Sequence, residues 1–172
     1  MQKDDWQSIV PKYANLVWQT CYRLVGNHTD ACDCFQDTFI CAFEMSNHHR
    51  IRNLPGLLTC IATRRALDTL RSRYGKKHTY EDSELMEVLP TQHPGPAQQV
   101  QSNELGEKLH KALTELPVQQ AESFCMRYLN DMSQKEIAGQ LGITNSAAGV
   151  LVHRARLKLQ QILESCSKGE EI

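Results

Sequence analysis

The chain has 172 residues, a net charge of −1, and 41% hydrophobic and 23% charged residues. This composition is typical of a soluble globular protein of one ordinary domain or two small ones. The sequence has no run of eighteen apolar residues and no apolar core near its N-terminus, which argues against a membrane span or a signal peptide. We therefore expect a cytoplasmic protein.

Three helices are predicted in the N-terminal part. The first covers residues 5–25 and ends at Gly26, because glycine readily takes the left-handed conformation that ends helices. The second begins near Thr29 or Asp30 and is followed by a polar, basic connection at 46–54. The third begins around Pro55, which suits a first helical position, and runs to about Arg73. The positions expected to form the apolar faces are Ile9, Tyr13, Leu16, Val17, Thr20, Cys21, Leu24, Cys32, Phe35, Phe39, Ala42, Phe43, Leu57, Leu58, Ile61, Ala62, Leu67 and Leu70.

The periodic pattern stops after the third helix and resumes near Pro96. The intervening stretch contains prolines, a glycine and several acidic residues, which disfavour regular structure and keep a segment solvated. We predict a flexible acidic linker at 76–96. It would join two small all-α domains, 1–75 and 97–172.

Four more helices are predicted, at 97–115, 117–130, 133–141 and 145–164. Pro117 fits a first helical position, and Ser133 followed by Glu136 is a capping box.

The segment 134–144 and the helix after it match a helix-turn-helix pattern. Ala138 is small where the two helices cross, and Gly142 suits the tight turn between them. The second helix of such a unit places its N-terminal end near base edges in the major groove, while basic residues further along meet phosphates. A purely structural helical hairpin is the alternative. The predicted DNA-contacting residues are Thr144, Asn145, Ser146, Ala147, Gly149, Val150, His153, Arg154, Arg156 and Lys158.

Charge is segregated along the chain. Residues 28–47 contain four acidic and no basic residues, whereas 50–77 contain eight basic residues and one acidic residue. Residues 80–107 are acidic without any Lys or Arg, and 146–163 are basic without any acid. Alternating blocks of this kind indicate separate surfaces for separate partners.

The seven cysteines form no repeated CxxC pair and are expected to be free thiols in a reducing compartment. A metal or redox site at His28, Cys32, Cys34 and Cys41 is the alternative. It is disfavoured because a CxC spacing on a helix points the two thiols apart. We predict no metal and no cofactor.

Two separate stretches resemble sigma factors, the promoter-recognition subunits of bacterial RNA polymerase. Residues 112–117, 133–138, 141–143 and 153–159 resemble region 4, with its "ALxxLP" entry, "EIA" and "LG-I/V" core and closing "RAR-xx-L". This resemblance implies that the C-terminal domain binds the −35 promoter element.

Residues 30–39 resemble the "DAEDLVQETF" motif of region 2.2, and the helix after Pro55 resembles the one that faces the −10 element. The resemblance implies that Asp33, Gln36 and Asp37 bind the clamp helices of the largest subunit of core RNA polymerase. The layout resembles the extracytoplasmic-function group, which implies an anti-sigma factor as a further partner. The residues assigned to −10 DNA binding are Asn47, His48, His49, Arg50, Arg52, Arg64, Arg65 and Arg71.

The sequence departs from the family pattern at several positions. Leu57 stands where the family usually has Trp, and Cys32 and Cys34 replace an acid and Leu. Gly149 stands where a Lys is frequent. The recognition helix therefore lacks a basic anchor and carries a poor helix former, which costs up to about 1 kcal/mol.

Two other classes of function are alternatives to this resemblance. A stand-alone helix-turn-helix regulator would use 1–75 for sensing or dimerisation and bind palindromic DNA by itself, but it has no evident use for the acidic 33–37 face. An enzyme would need a convergent catalytic set, and the sequence shows none. We predict a non-enzymatic sigma factor that confers promoter recognition and DNA opening.

Overall fold

The computed structural model describes residues 5–76 and 96–168, and every regular element in these two ranges is a helix. The all-α fold class is therefore confirmed for the part of the chain that is described. The predicted linker at 76–96 lies outside it, apart from its two end residues. The helices are α1 (Trp6–Val25), α2 (His28–His48), α3 (Leu54–Lys76), α4 (Pro96–Glu115), α5 (Val118–Tyr128), α6 (Gln134–Leu141) and α7 (Asn145–Lys168).

The turn between α1 and α2 is defined by two local signals. Gly26 has a φ of 73° and ends α1 in the left-handed conformation, as predicted. The side chain of Asn27 then accepts a hydrogen bond from the Asp30 N–H at 2.9 Å, which caps α2. Because of this cap, α2 begins at His28, slightly earlier than predicted. It also continues to His48, so the predicted connection at 46–54 is shorter and covers 49–53.

Helices α1, α2 and α3 pack around a shared apolar core, and two predicted core positions are wrong. Leu16 is 37% exposed and Phe43 is 47% exposed. The buried stripe of α2 instead includes Cys34 and Thr38, because Ala31, Cys34, Thr38 and Ala42 follow the three- and four-residue steps of one helix face. Phe43 lies beside that stripe and packs edge-on against Trp6 at 5.6 Å between ring centroids.

Arg73 fastens the end of α3 to the α1–α2 turn. Its guanidinium donates to the Val25 carbonyl at 2.9 Å and to the Asp30 carboxylate at 2.5 Å. Burial raises the pKa of Asp30, but the hydrogen bonds from Asn27 and Arg73 more than offset this, so the pKa lies below its ordinary value. The α1–α2 turn is therefore stabilised both by the Asn27 cap and by the hydrogen bonds from Arg73.

The C-terminal helices largely follow the sequence signals. Pro117 is the N-cap of α5 rather than its first helical residue, a one-residue correction. Ser133 and Glu136 form the predicted capping box of α6, and Gly142 ends that helix with a φ of 65°. Helix α7 continues to Lys168, beyond the predicted end at 164.

The two halves of the chain share a continuous core. Ala112, Leu113 and Leu116 of α4 and Ala121 and Cys125 of α5 belong to the same buried cluster as the core of α1–α3. A second cluster joins Cys60 of α3 to residues of α5, α6 and α7 and of the loop before α6. Helix α3 therefore lies between the N-terminal helices and the helix-turn-helix. Among the described helices, none is both long enough and apolar enough to cross a membrane.

Candidate nucleic-acid and polymerase interfaces

One face of α2 presents two carboxylates and an amide to solvent. Asp33, Gln36 and Asp37 are all exposed, and their three- and four-residue spacing places them on one side of the helix. Cys34 points the other way, with its Sγ 3.4 Å from the Thr69 hydroxyl. Burial raises the pKa of the Cys34 thiol, and nearby carboxylates raise it further. The structure thus brings the predicted polymerase-binding residues together on a single polar face.

The end of α2 and the loop between α2 and α3 carry exposed polar and basic residues. Asn47, His48, His49, Arg50 and Arg52 are all exposed. The loop ends where Asn53 Oδ1 accepts a hydrogen bond from the Gly56 N–H at 3.0 Å, a cap for α3. These five side chains are therefore accessible to a ligand.

Gly56 is closely surrounded at the start of α3. A Cβ atom there would lie 2.5 Å from Asn53 Nδ2 and 2.7 Å from Gln140 Nε2. Its neighbours leave no room for a side chain unless both amides move.

The three arginines predicted on α3 have different environments. Arg64 forms an ion pair with Glu122 of α5, with 3.2 Å between Nε and Oε1. Arg71 pairs with Asp68 at 3.3 Å within the same helix. Arg65 is exposed, and in the described ranges its side chain forms no ion pair. The structure does not gather these arginines into one free basic patch.

Helices α6 and α7 form the predicted helix-turn-helix. The Thr144 hydroxyl accepts a hydrogen bond from the Ala147 N–H at 3.2 Å, which caps α7. One acceptor position of this hydroxyl is therefore already used within the protein. Asn145, Ser146 and Val150 are exposed at the start of the helix. Ala147 and Gly149 are partly buried. The N-terminal end of α7 is thus open to solvent at most of the predicted base-reading positions.

The predicted phosphate-contacting residues lie on the outer side of α7. Ala155 and Leu159 are buried in the core, which leaves Arg154, Arg156 and Lys158 exposed, together with His153. These positive side chains follow the recognition end of the helix within a few turns. Such placement suits salt-dependent contact with a phosphate backbone.

A polar recess of about 160 Å³ lies beside the recognition helix. It is lined by Arg127 and Tyr128 of α5 and by Gln134, Gly149, Val152, His153 and Arg156. Arg127 is exposed and donates to the Met132 carbonyl at 3.2 Å. The sequence prediction missed Arg127 and Gln134. An isolated arginine near the end of a helix gives no sequence signal that it faces α7.

The cysteines are free thiols in differing environments. Burial raises the pKa of Cys21 and Cys125 to about 12 and that of Cys60 to about 11, so these thiols are unreactive while buried. Cys166 is exposed. In residues 5–76 and 96–168, no group of three or more His, Cys, Asp or Glu side chains is placed to hold a metal ion.

Two family models match the chain. The model described as "Sigma-70 region 2" matches residues 9–75, and the model described as "Sigma-70, region 4" matches residues 106–159. The first match covers α1–α3, including the acidic face of α2. The second covers the helix-turn-helix and the helices that support it.

Known proteins that are similar to this chain in sequence or in fold are also sigma factors. The chain is 30% identical over 158 residues to the ECF RNA polymerase sigma factor SigE of Mycolicibacterium smegmatis, covering 92% of this chain but 61% of SigE. It is 27% identical to the ECF RNA polymerase sigma factor SigW of Bacillus subtilis, over 94% of this chain and 90% of SigW. The fold is similar to that of the sigma factor RpoE of Bartonella quintana, solved in complex with the anti-sigma factor NepR, with a TM-score of 0.57, 21% identity and coverage of 93% and 97% of the two chains.

These relatives are sigma factors, so the comparisons do not favour a stand-alone helix-turn-helix regulator. The region 2 match precedes the region 4 match along the chain. This is the order that the resemblances of residues 30–39 and 133–159 predicted. The chain belongs to the sigma-70 family of RNA polymerase sigma factors, in its extracytoplasmic-function group.

Proposed function

We propose that this chain binds core RNA polymerase and directs it to promoters, where it supports DNA opening. The observation that carries the proposal is the presence, in one chain, of a region 2 match with an exposed acidic α2 face and a region 4 match with a helix-turn-helix. The proposed polymerase contact uses Asp33, Gln36 and Asp37. A polar face with two carboxylates suits a basic partner surface and forms no part of the protein's own core.

The DNA contacts are proposed to divide between the two halves. Residues 1–75 would engage the −10 element through the 49–53 loop, the end of α2 and the arginines of α3. Residues 97–172 would engage the −35 element through the start of α7, and 76–96 would connect them. The exposed histidines and arginines of the loop are suited to hold unstacked bases and phosphates of an opened strand. In the −35 contact, Asn145, Ser146 and Val150 would lie against the bases.

Three further assignments follow from this proposal. The chain acts as a binding subunit and not as an enzyme, works where RNA polymerase works, in the cytoplasm, and is regulated by an anti-sigma factor. The last of these is supported by analogy with the RpoE protein that was solved with NepR.

The test is a pull-down of the purified chain with bacterial core RNA polymerase, comparing wild type with Asp33→Arg/Gln36→Arg. We expect stoichiometric binding by the wild type and its loss in the variant, because two positive charges would replace the acidic and amide groups that face the partner. If the variant binds polymerase as well as the wild type does, the α2 face is not the polymerase contact. A folded chain that ignores polymerase and binds duplex DNA alone would overturn the sigma-factor role.

A matched control is available on α7. Gln161→Arg/Glu164→Arg introduces the same change in charge at the same three-residue spacing, at positions that are also exposed. We expect this control to bind polymerase like the wild type. Equal loss in both variants would mean that overall charge, and not the α2 face, governs binding.

A further inference from the structure

A groove with a volume of about 390 Å³ opens on the surface of the C-terminal half. Its apolar lining consists of Leu109 of α4, Phe124 of α5, and Leu159 and Leu163 of α7. Leu105 lies one turn before Leu109, on the same side of α4, and is 63% exposed. Contiguous exposed apolar surface is a common feature of protein–protein contacts. The groove is therefore a candidate docking surface.

The face of α7 beside this groove has a symmetric arrangement of side chains around Gln160. A leucine lies three residues away on each side, at Leu157 and Leu163, and a charged residue lies four residues away on each side, at Arg156 and Glu164. Residues three and four apart share one face of a helix, so all five belong to the same face. Leu157 is 43% exposed, and Arg156, Gln160 and Glu164 are exposed as well.

The two charged residues of this face cannot pair with each other. Arg156 and Glu164 are separated by eight residues, which is about 12 Å along the helix axis at 1.5 Å per residue. Among the described residues, neither forms an ion pair. Glu164 Oε1 accepts a hydrogen bond from Gln160 Nε2 at 3.0 Å, but the neutral amide does not compensate its charge. Opposite charges thus remain available at the two ends of the face.

A second copy of α7, laid antiparallel across Gln160, complements this face in two ways. It places Arg156 opposite Glu164 of the second copy, and Glu164 opposite the other Arg156. The same register places the exposed Leu157 opposite Leu163 of the second copy, at the edge of the groove. Both matches follow from one position of the two-fold axis. A two-fold contact requires such a self-complementary surface, whereas a partner of unrelated sequence does not.

We propose that two copies of the free chain form a symmetric dimer through antiparallel α7 helices, with Gln160 at the two-fold axis. The leucines supply the apolar part of this contact, and two Arg156–Glu164 ion pairs fix its register. Arg156 is also assigned to the phosphates of the −35 element, so the dimer and that DNA contact exclude each other. This consequence rests on the proposed function, whereas the dimer itself does not, and binding of core polymerase by the same samples tests that function separately.

Sedimentation velocity of the full chain over a concentration series tests the dimer. A reductant is present throughout, so that the exposed Cys166 forms no disulfide. We expect a reversible shift to twice the monomer mass of 19.6 kDa. About three turns of helix form a small interface, so the Kd should lie at about 1–100 μM. A chain that stays monomeric up to about 200 μM would overturn the proposal.

Charge reversal tests the antiparallel register. Arg156→Glu and Glu164→Arg each bring like charges together at both ends of the contact, so each variant alone should dimerise at least about tenfold more weakly than the wild type. An equimolar mixture of the two variants should recover the wild-type Kd, because every like-charge pair becomes an opposite-charge pair. Recovery would also show that both variants are folded. Single variants that dimerise normally, or a mixture that stays monomeric, would overturn the proposed register.

A matched control for the change in charge is available on α4. Lys111→Glu reverses an exposed charge two residues from Leu109, a spacing that places it on the opposite side of the helix from the groove. We expect this variant to dimerise like the wild type. Equal weakening in Lys111→Glu and in the α7 variants would mean that overall charge governs association, which would overturn the proposal.

The position of the axis can be tested by cross-linking in a Cys166→Ser background. A residue at a two-fold axis meets its own counterpart, so Gln160→Cys should form a disulfide-linked dimer. Oxidised glutathione is the oxidant: two thiols form one disulfide while one oxidised glutathione is reduced to two thiols. Gln161→Cys, which is exposed but turned away from this face, should cross-link much more slowly. Equal rates at the two positions would overturn the assignment of the axis.

Discussion

The side-chain amide of Gln134 occupies the space that a side chain at Gly149 would need. An ideal Cβ at Gly149 would lie 2.8 Å from Gln134 Nε2, and that nitrogen donates to the Asn145 carbonyl at 2.6 Å. Gln134 thus joins the start of α6 to the first turn of α7. The glycine that departs from the family pattern is explained by this contact within the helix-turn-helix.

This packing predicts a coupling between positions 134 and 149. Gly149→Ala should stabilise the Gln134→Ala protein by up to about 1 kcal/mol, the difference in helix propensity. In the wild type the same change displaces Gln134 and removes its hydrogen bond, which offsets most of that gain. Urea denaturation of the four proteins of the double-mutant cycle measures the coupling. The same gain in both backgrounds would contradict the role of Gln134.

The capping box predicts a local stability effect. Ser133→Ala should lower the free energy of unfolding by about 1 kcal/mol, because the Ser133 hydroxyl accepts from the Glu136 N–H and the Glu136 carboxylate accepts from the Ser133 N–H. Ser146→Ala is the control, since Ser146 is also exposed and lies in the first turn of α7. Chemical denaturation of both variants should show a loss at position 133 that exceeds the effect at 146.

The exposed basic side of α7 predicts a loss of DNA affinity without a change in sequence preference. Arg154→Ala should weaken binding of the polymerase–sigma complex to different promoter fragments by similar factors and reduce the dependence on salt by about one counterion. Fluorescence anisotropy over a salt series measures both quantities. Gln161→Ala, an exposed position further along α7, should leave them unchanged. A changed sequence preference in Arg154→Ala would place that side chain at a base.

His110 predicts a pH dependence of stability. It lies where α4 meets the end of α1, and its Nε2 donates to the Arg23 carbonyl at 3.3 Å. Burial, with a contribution from Arg73, lowers the pKa of His110 below its ordinary value of 6.5, although the Arg23 carbonyl and Glu107 act in the opposite direction. Because the folded state favours the neutral ring, its contribution is complete above the unfolded pKa and decreases as the pH falls below it.

The measurement compares the free energy of unfolding of wild type and His110→Gln between about pH 7.5 and pH 5.5. Wild type should lose more stability over this interval, since glutamine does not titrate. Parallel curves for the two proteins would show that His110 contributes nothing to the pH dependence.

Local signals in the sequence predicted much of the fold. The helical periodicity, the left-handed glycines at 26 and 142 and the capping box at 133–136 each depend on residues within one or two turns. Helix ends differ from the prediction, because the caps at Asn27 and Pro117 each shift a boundary by a residue or two. The roles assigned to individual site residues remain predictions.

The sequence by itself determined that this chain is helical, where its helices begin and end to within a few residues, and which family it resembles, because these properties are encoded in neighbouring side chains. Only the tertiary structure decided that α2 buries Cys34 and Thr38 while Phe43 is exposed. It also decided that Arg64 meets Glu122 and that Arg127 and Gln134 flank α7. Such contacts join residues far apart in the chain, and they depend on how all the helices fill one core.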